Sequence, residues 1–292
     1  MFARIVSIIF PIFAIVALGY LYGRYKRPDM RFANQLNMDV FVPALVFSAM
    51  ASKSFDLHAY GMLAVGAVVI VLGSGLLAYP VARWLRIDPK VFVPPMMFTN
   101  SGNMGLPLAV LAFGEQALPA AVMLFMAENT LHYALGTWAL DKQAKVTRLW
   151  REPVIFAAIV GLLFSVLQME VWPPLLYAIK MTGDISIPLL LFSLGVRLTQ
   201  SDFSDFRLGV IGGVVCAVSG LLLAWPLTYL LPLSPEHKAM LIVFGSLPPA
   251  VLNYVFSEKY QVEPHRVASL VMVGNLMSLV FIPLALFLVL KQ

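Results

Sequence analysis

Apolar residues in this chain come in long runs, parted by short polar breaks rich in lysine and arginine. A bilayer's hydrocarbon core of about 30 Å takes roughly 20 residues of helix. On that measure the pattern predicts ten helical spans, at approximately 4–23, 32–51, 60–83, 90–113, 116–140, 152–169, 174–197, 207–231, 237–257 and 265–290. The connections leave no room for a separate soluble domain. The run from Ile5 to Tyr22 is too long for the apolar stretch of a cleavable leader and lacks a small-residue cleavage site, so it reads as the first span.

Basic residues orient these spans. Arg24, Lys26, Arg27 and Arg31 follow the first span; Arg83, Arg86 and Lys90 the third; Lys142, Lys145, Arg148 and Arg151 the fifth. Arg197 and Arg207 follow the seventh, and Lys259 and Arg266 the ninth. These are fifteen of the twenty Lys and Arg residues. The positive-inside rule makes that side cytoplasmic, which puts both termini on the outer side. Arg4, Lys53, Lys238 and Lys291 fall on the other side.

The two halves match each other at an offset near 145 residues. Asp39 and Pro43 match Asp184 and Pro188, and Phe47-Ser48 match Phe192-Ser193. Ala78-Tyr79-Pro80 match Ala224-Trp225-Pro226, and Leu124, Met126 and Asn129 match Leu270, Met272 and Asn275. A register held through four pairs of spans marks an internal repeat, 1–143 and 144–292. Five spans per repeat is an odd number, so the second repeat enters the bilayer inverted relative to the first. The expected fold is an all-α membrane protein of two inverted five-helix repeats, an arrangement typical of secondary transporters.

The fourth and ninth spans carry proline and glycine in mid-run. The fourth reads Pro94-Pro95-Met96-Met97-Phe98-Thr99-Asn100-Ser101-Gly102-Asn103-Met104-Gly105-Leu106-Pro107, and the ninth Gly245-Ser246-Leu247-Pro248-Pro249-Ala250-Val251-Leu252-Asn253. Proline removes a helical hydrogen bond and crowds the preceding turn. Backbone groups freed in hydrocarbon cost several kcal/mol each, so such breaks persist only within protein or facing water. Paired breaks in the two halves point to a transport site. A half-helix that starts at mid-membrane presents free N–H groups and a positive dipole end, an anion site without a buried cation. Asn100, Ser101, Gly102 and Asn103, with Ser246, Pro248, Pro249 and Asn253 opposite, are the candidate substrate-binding residues. Their side chains can donate to a carboxylate or offer oxygens to a cation. The alternative is that two helices are merely kinked and the asparagines satisfy the freed backbone.

Ionisable groups within a span cost about 2.5–3.5 kcal/mol on insertion scales and so invite a role. Asp39 and Asp184 each stand four residues before a proline. They could bind a coupling ion or hold backbone freed by the proline. Glu128 lies midway along the fifth span, beside Asn129 and on one face with His132; its repeat mate is Gly274. It reads as a coupling-ion residue or as a neutral group hydrogen-bonded in the bundle. Asn275 mirrors Asn129. Lys180 could be a counter-charge for an anion or could snorkel to the interface. Asn34 and Asn37 make the second span polar and inward-facing.

Composition agrees with a lipid setting: 60% of the 292 residues are hydrophobic and 12% are charged, against about 25% charged in a soluble domain. The net charge of +5 comes from loop residues, which points to topology rather than nucleic-acid binding. Cys216 is alone, so it forms neither an internal disulfide nor a cysteine metal site. No phosphate-binding glycine loop ending in lysine is present, so the energy must come from gradients or a partner. His58, His132, His237 and His265 are scattered, which argues against a membrane-embedded enzyme.

The segment Asn100-Ser101-Gly102-Asn103-Met104-Gly105-Leu106-Pro107-Leu108 resembles the fourth-helix motif of the auxin efflux carrier family. Pro248-Pro249-Ala250 through Tyr254 to Glu258-Lys259-Tyr260 is similar to that family's ninth helix, and Ile187-Pro188-Leu189 through Phe192-Ser193-Leu194-Gly195 to its seventh. The resemblance covers nearly the whole chain. It implies the crossover fold shared with sodium–proton antiporters and bile-acid/sodium symporters. There helices 4 and 9 are broken and cross, helices 1, 2, 6 and 7 form a scaffold, and helices 3–5 and 8–10 form a transport domain. Plant members export the auxin anion, and several bacterial relatives are assigned to malonate or malate. Plant relatives often carry a long central cytoplasmic loop, which here is only about 141–151. That suits a compact carrier of small organic anions, mono- or dicarboxylates, in a bacterial inner membrane, with periplasmic termini and elevator-type alternating access. Bile-acid-type relatives place a sodium site between helices 4 and 5, which implies Glu128 and Asn129 as coupling-ion residues, with Asp39, Asp184 and Asn275 further candidates. The resemblance also implies a homodimer, with no cofactor beyond a coupling proton or sodium ion and no resident metal. A sodium-dependent importer of larger organic acids is the alternative within transport.

Overall fold

The computed structural model describes residues 1–51, 57–140, 152–199 and 204–291, with the side chains of 57–59 and Thr137 left out. Lys53 and the basic central loop 141–151 lie outside the described residues. Among the described residues every regular element is helical. The helices are α1 (Phe2–Lys26), α2 (Arg31–Leu36), α3 (Val42–Met50), α4 (Leu57–Trp84), α5 (Pro89–Met97), α6 (Leu106–Phe113), α7 (Leu118–Leu131), α8 (Thr137–Leu140), α9 (Pro153–Val166), α10 (Pro173–Asp184), α11 (Ser186–Leu198), α12 (Phe206–Leu230), α13 (Pro235–Gly245), α14 (Val251–Tyr260) and α15 (Pro264–Leu290). Helical segments thus fall within each of the ten apolar runs. Five segments, Phe2–Lys26, Tyr60–Trp84, Pro173–Leu198, Phe206–Leu230 and Pro264–Leu290, are long and apolar enough to cross a bilayer. Ser101–Phe113 and Pro153–Val166 are apolar but shorter.

Local chemistry sets where several helices begin. Asp88 accepts from the Lys90 N–H at 2.9 Å and precedes Pro89 at the first position of α5. Ser234 accepts from the His237 N–H at 3.2 Å and precedes Pro235 at the start of α13. A capping oxygen followed by proline suits a helix start, because the first N–H groups have no partner within the helix.

Proline also places the irregular turns. Its ring crowds the carbonyl four residues back, which for Pro43 is that of Asp39. The helix widens there into a π turn, Asn37–Phe41, before α3 resumes. Pro107 acts likewise on Asn103, within the π turn Ser101–Gly105 that opens α6. Pro188 follows Asp184 by four residues, where α10 gives way to α11.

Small residues let backbones approach. A Cβ built on Gly195 of α11 would lie 2.0 Å from the Val16 carbonyl oxygen, and one on Gly19 of α1 would lie 2.1 Å from that of Phe192. α1 and α11 therefore pack with their main chains in contact. α3 packs on α9 and α10, while α12 packs on α15, α4 and α13. The broken segments α5–α6 and α13–α14 are held between these elements.

Candidate functional site at the helix breaks

The two breaks satisfy each other. α5 carries Pro94 and Pro95 in its last turn and ends at Met97, and Phe98 turns extended, with φ −104° and ψ 112°. α13 stops at Gly245, and Pro248-Pro249-Ala250 runs extended to the start of α14. Thr99 and Pro249 form an antiparallel bridge. The Asn100 N–H donates to the Pro248 carbonyl at 2.7 Å, and the Ala250 N–H donates to the Phe98 carbonyl at 2.9 Å. Backbone groups lost to each helix are thereby paired away from water, as a low-dielectric interior demands.

Side chains complete the pairing. The Glu128 carboxylate, 1% exposed, accepts from the Thr99 N–H and from the Thr99 hydroxyl at 3.2 Å. The Asn100 amide donates to Asn275 Oδ1 at 2.8 Å. Asn275 in turn donates to the Pro249 carbonyl at 2.9 Å and the Val271 carbonyl at 2.8 Å. Asn253 donates to the carbonyls of Phe98 and Ala250, each at 3.0 Å. His132 stacks on Phe98 at 4.1 Å between ring centroids, with Phe256 edge-on to it at 5.3 Å.

A cavity of about 250 Å³ opens beside this crossing. Asn100, Ser101, Gly102 and Asn103 form one wall, with Glu128 and Asn129 next to them. Asn34, Asn37, Ser193 and Arg197 line it from α2, the following π turn and α11. The first bonds of the half-helix run from Met104 and Gly105 to the Asn100 carbonyl, at 3.0 and 3.1 Å. The N–H groups of Ser101, Gly102 and Asn103 therefore stand ahead of the helical ladder, at the cavity wall. Several buried polar atoms at this cavity have no hydrogen-bond partner among the described residues: both amide atoms of Asn37, Nδ2 of Asn129 and Oγ of Ser193. Unpaired polar atoms at 1% and 7% exposure, as in Asn37 and Asn129, call for water or a polar ligand.

The remaining predicted residues divide. Pro248 and Pro249 form the bridge, and Asn253 and Asn275 brace it rather than lining the cavity. The Ser246 hydroxyl turns back to the Val243 carbonyl at 2.7 Å. Asp39 is exposed, within electrostatic reach of Glu152 at the start of α9. Asp184 is exposed and lines a second cavity, of about 680 Å³, together with Glu115 and Lys180. There the Lys180 ammonium lies 3.3 Å from Asp184 and 3.4 Å from Glu115. Lys180 and Arg197 are 17 residues apart on the seventh span, about 25 Å along a helix, so the two cavities sit toward its opposite ends.

Arg197 is the cavity residue that the sequence analysis missed, counting it at the end of the seventh span only toward the orientation of the chain. A signal was present: Arg197 stands four residues after Ser193, on the same helical face.

These features define a helical membrane protein with a cavity, walled by both polar and apolar side chains, where two interrupted helices cross. A family model described as a membrane transport protein matches residues 4–145 and 134–286, and the chain belongs to that family, the one that includes the auxin efflux carriers. Among relatives, a putative malonate transporter of Rhizobium meliloti is 24% identical over 315 residues, covering 98% of this chain and 96% of its own. An uncharacterized transporter of Methanocaldococcus jannaschii is 21% identical over 300 residues, covering 95% of this chain and 96% of its own. Auxin efflux carrier component 6 of Arabidopsis thaliana is 24% identical over 178 residues, 58% of this chain and 29% of that protein. The protein is a multi-pass membrane transporter.

Proposed function

We propose that this transporter is a secondary carrier of small organic anions, mono- or dicarboxylates, held where the fourth and ninth spans cross. The observation that carries the reading is the cavity wall itself. Free N–H groups of Ser101, Gly102 and Asn103 and the unpaired amides of Asn129 and Asn37 converge on one space. Asn37 also offers an oxygen to this space, and the N–H groups and positive dipole end at the half-helix start favour an anion there. The space of about 250 Å³ lies below the roughly 300–1,000 Å³ of sites for drug-sized ligands, which favours small acids over the larger acids of a bile-acid-like importer. The name of the Rhizobium relative, a putative malonate transporter, supports the same class.

In this reading the ten spans form two inverted repeats. Helices 1, 2, 6 and 7 stand as a scaffold while helices 3–5 and 8–10 carry the substrate as an elevator. The two cavities toward opposite ends of the seventh span support alternating access. Both termini face the periplasm of a bacterial inner membrane, and a homodimer forms through the scaffold. Glu128 and Asn129 are the coupling-ion candidates closest to the substrate; Asn275 lies behind them, and Asp39 and Asp184 lie apart.

Uptake of labelled malonate into proteoliposomes, with sodium and proton gradients imposed separately, tests this. Saturable uptake that an excess of unlabelled short carboxylates competes away is the expected result. Uptake that demands sodium and is competed only by bulky acids would establish the importer instead.

A further inference from the structure

We infer that Arg197 reads a second carboxylate, so that this carrier selects short dicarboxylates over monocarboxylates; the inference rests on the anion-carrier reading above. The cavity has two unlike poles. One is the break, with the N–H groups of Ser101 to Asn103 and the Asn129 amide. The other is α11, which reaches the same cavity through Ser193 and, one turn on, Arg197. Among the described residues that line the cavity, Arg197 is the only arginine or lysine.

The two poles belong to different parts of the fold, so a ligand with an anionic group at each end can bridge them. A carboxylate at the half-helix start uses N–H donors and the dipole end. A second carboxylate matches a guanidinium, whose planar fork donates two parallel hydrogen bonds. A monocarboxylate can satisfy one pole only. Held in the wall of a cavity with restricted water, Arg197 carries a desolvation cost that a second carboxylate offsets. Tyr254 and Glu258 of α14 lie within electrostatic reach of Arg197. An arriving carboxylate therefore shares the field of Arg197 with Glu258.

The test compares malonate with its monoamide, which keeps the shape and loses one charge. Both are titrated into the purified full chain in lipid nanodiscs, as wild type, Arg197→Gln and Arg197→Lys. The wild type is expected to bind malonate at least 10-fold tighter than the monoamide. Arg197→Gln should weaken malonate by about 10- to 100-fold, the range for a lost hydrogen-bonded charge, and leave the monoamide within about twofold. Arg197→Lys should fall between. A wild type that binds both probes equally, or an Arg197→Gln protein that keeps the full preference, overturns the inference and leaves the anion-carrier reading standing. A wild type that binds neither probe overturns that reading and the inference with it. If Arg197→Gln binds neither probe, Arg197→Lys decides. Retained preference for malonate in that variant supports the inference, and loss of the monoamide there too shows that Arg197 maintains structure rather than selectivity.

Discussion

The break in the fourth span and the break in the ninth meet at one bridge, yet they are built differently. Pro89 and Pro235 open the two broken spans 146 residues apart, and Leu118 and Pro264 open the next helices at the same separation. Between them, Ser101 and Val251 restart the helices 150 residues apart. The second break is thus displaced by about one turn within an otherwise constant register. The chemistry differs as well. Thr99 keeps an N–H that needs an acceptor, and Glu128 of α7 supplies it. Its bridge partner Pro249 has no N–H, and the position matching Glu128 is Gly274, where a Cβ would meet Pro249 Cδ at 2.6 Å. Asn275 has its amide engaged by Pro249 and Val271 and its oxygen by Asn100, whereas its mate Asn129 leaves Nδ2 unpaired at the cavity. One break is sealed and the other is open. The lesson is that the proline-rich half holds the crossing shut while the glycine- and asparagine-rich half presents donors.

Changes that strike this contrast should fall in a clear order. Glu128→Ala removes the acceptor for Thr99 and strands a buried N–H. A loss of about 1–3 kcal/mol in stability and abolished transport are expected, read by thermal unfolding and vesicle uptake; unchanged unfolding would mean the brace is unnecessary. Asn275→Ala unties the Pro249 carbonyl and Asn100 together, and should cost about 1–2 kcal/mol of stability with a clear fall in transport. Asn129→Ala should instead weaken ligand binding and leave unfolding nearly unmoved. Equal stability losses in the two asparagine variants would erase the distinction between sealed and open halves. Lys180→Ala, far from the crossing, should matter least. Its partners are exposed, and such pairs are worth about 0–1 kcal/mol, so uptake should change by no more than a few-fold. A larger change would make the second cavity part of the transport cycle.

Much of the fold could be read along the chain, because a bilayer imposes a length on every apolar run and punishes every break. The ten runs, the prolines of α5 and Pro248-Pro249 all gave their positions away. The four-residue displacement did not, since matched residues on either side of the break hide a shift within it. The candidate site was legible on one side. Asn100 to Asn103, Glu128 and Asn129 are found together at the cavity. Ser246 and Asn253 look equivalent in sequence, but their side chains turn to the Val243 carbonyl and to the bridge backbone. Asp39 and Asp184 do not line this cavity: the match between the halves picks them out as a pair, and a matched pair says nothing of which way either side chain faces. Arg197 was hidden by the rule that oriented the chain: counting basic residues assigns an arginine at a span's end to the loop, whatever its side chain reaches.

The central claim, that the open half of the crossing holds the substrate and the sealed half does not, is tested most directly by one paired measurement. Purified wild type, Asn103→Ala and Ser246→Ala are screened by thermal shift against short mono- and dicarboxylates. The account predicts that a carboxylate which stabilises the wild type stabilises Ser246→Ala to the same degree and loses its effect on Asn103→Ala. Full ligand stabilisation of Asn103→Ala, with loss in Ser246→Ala, would contradict it.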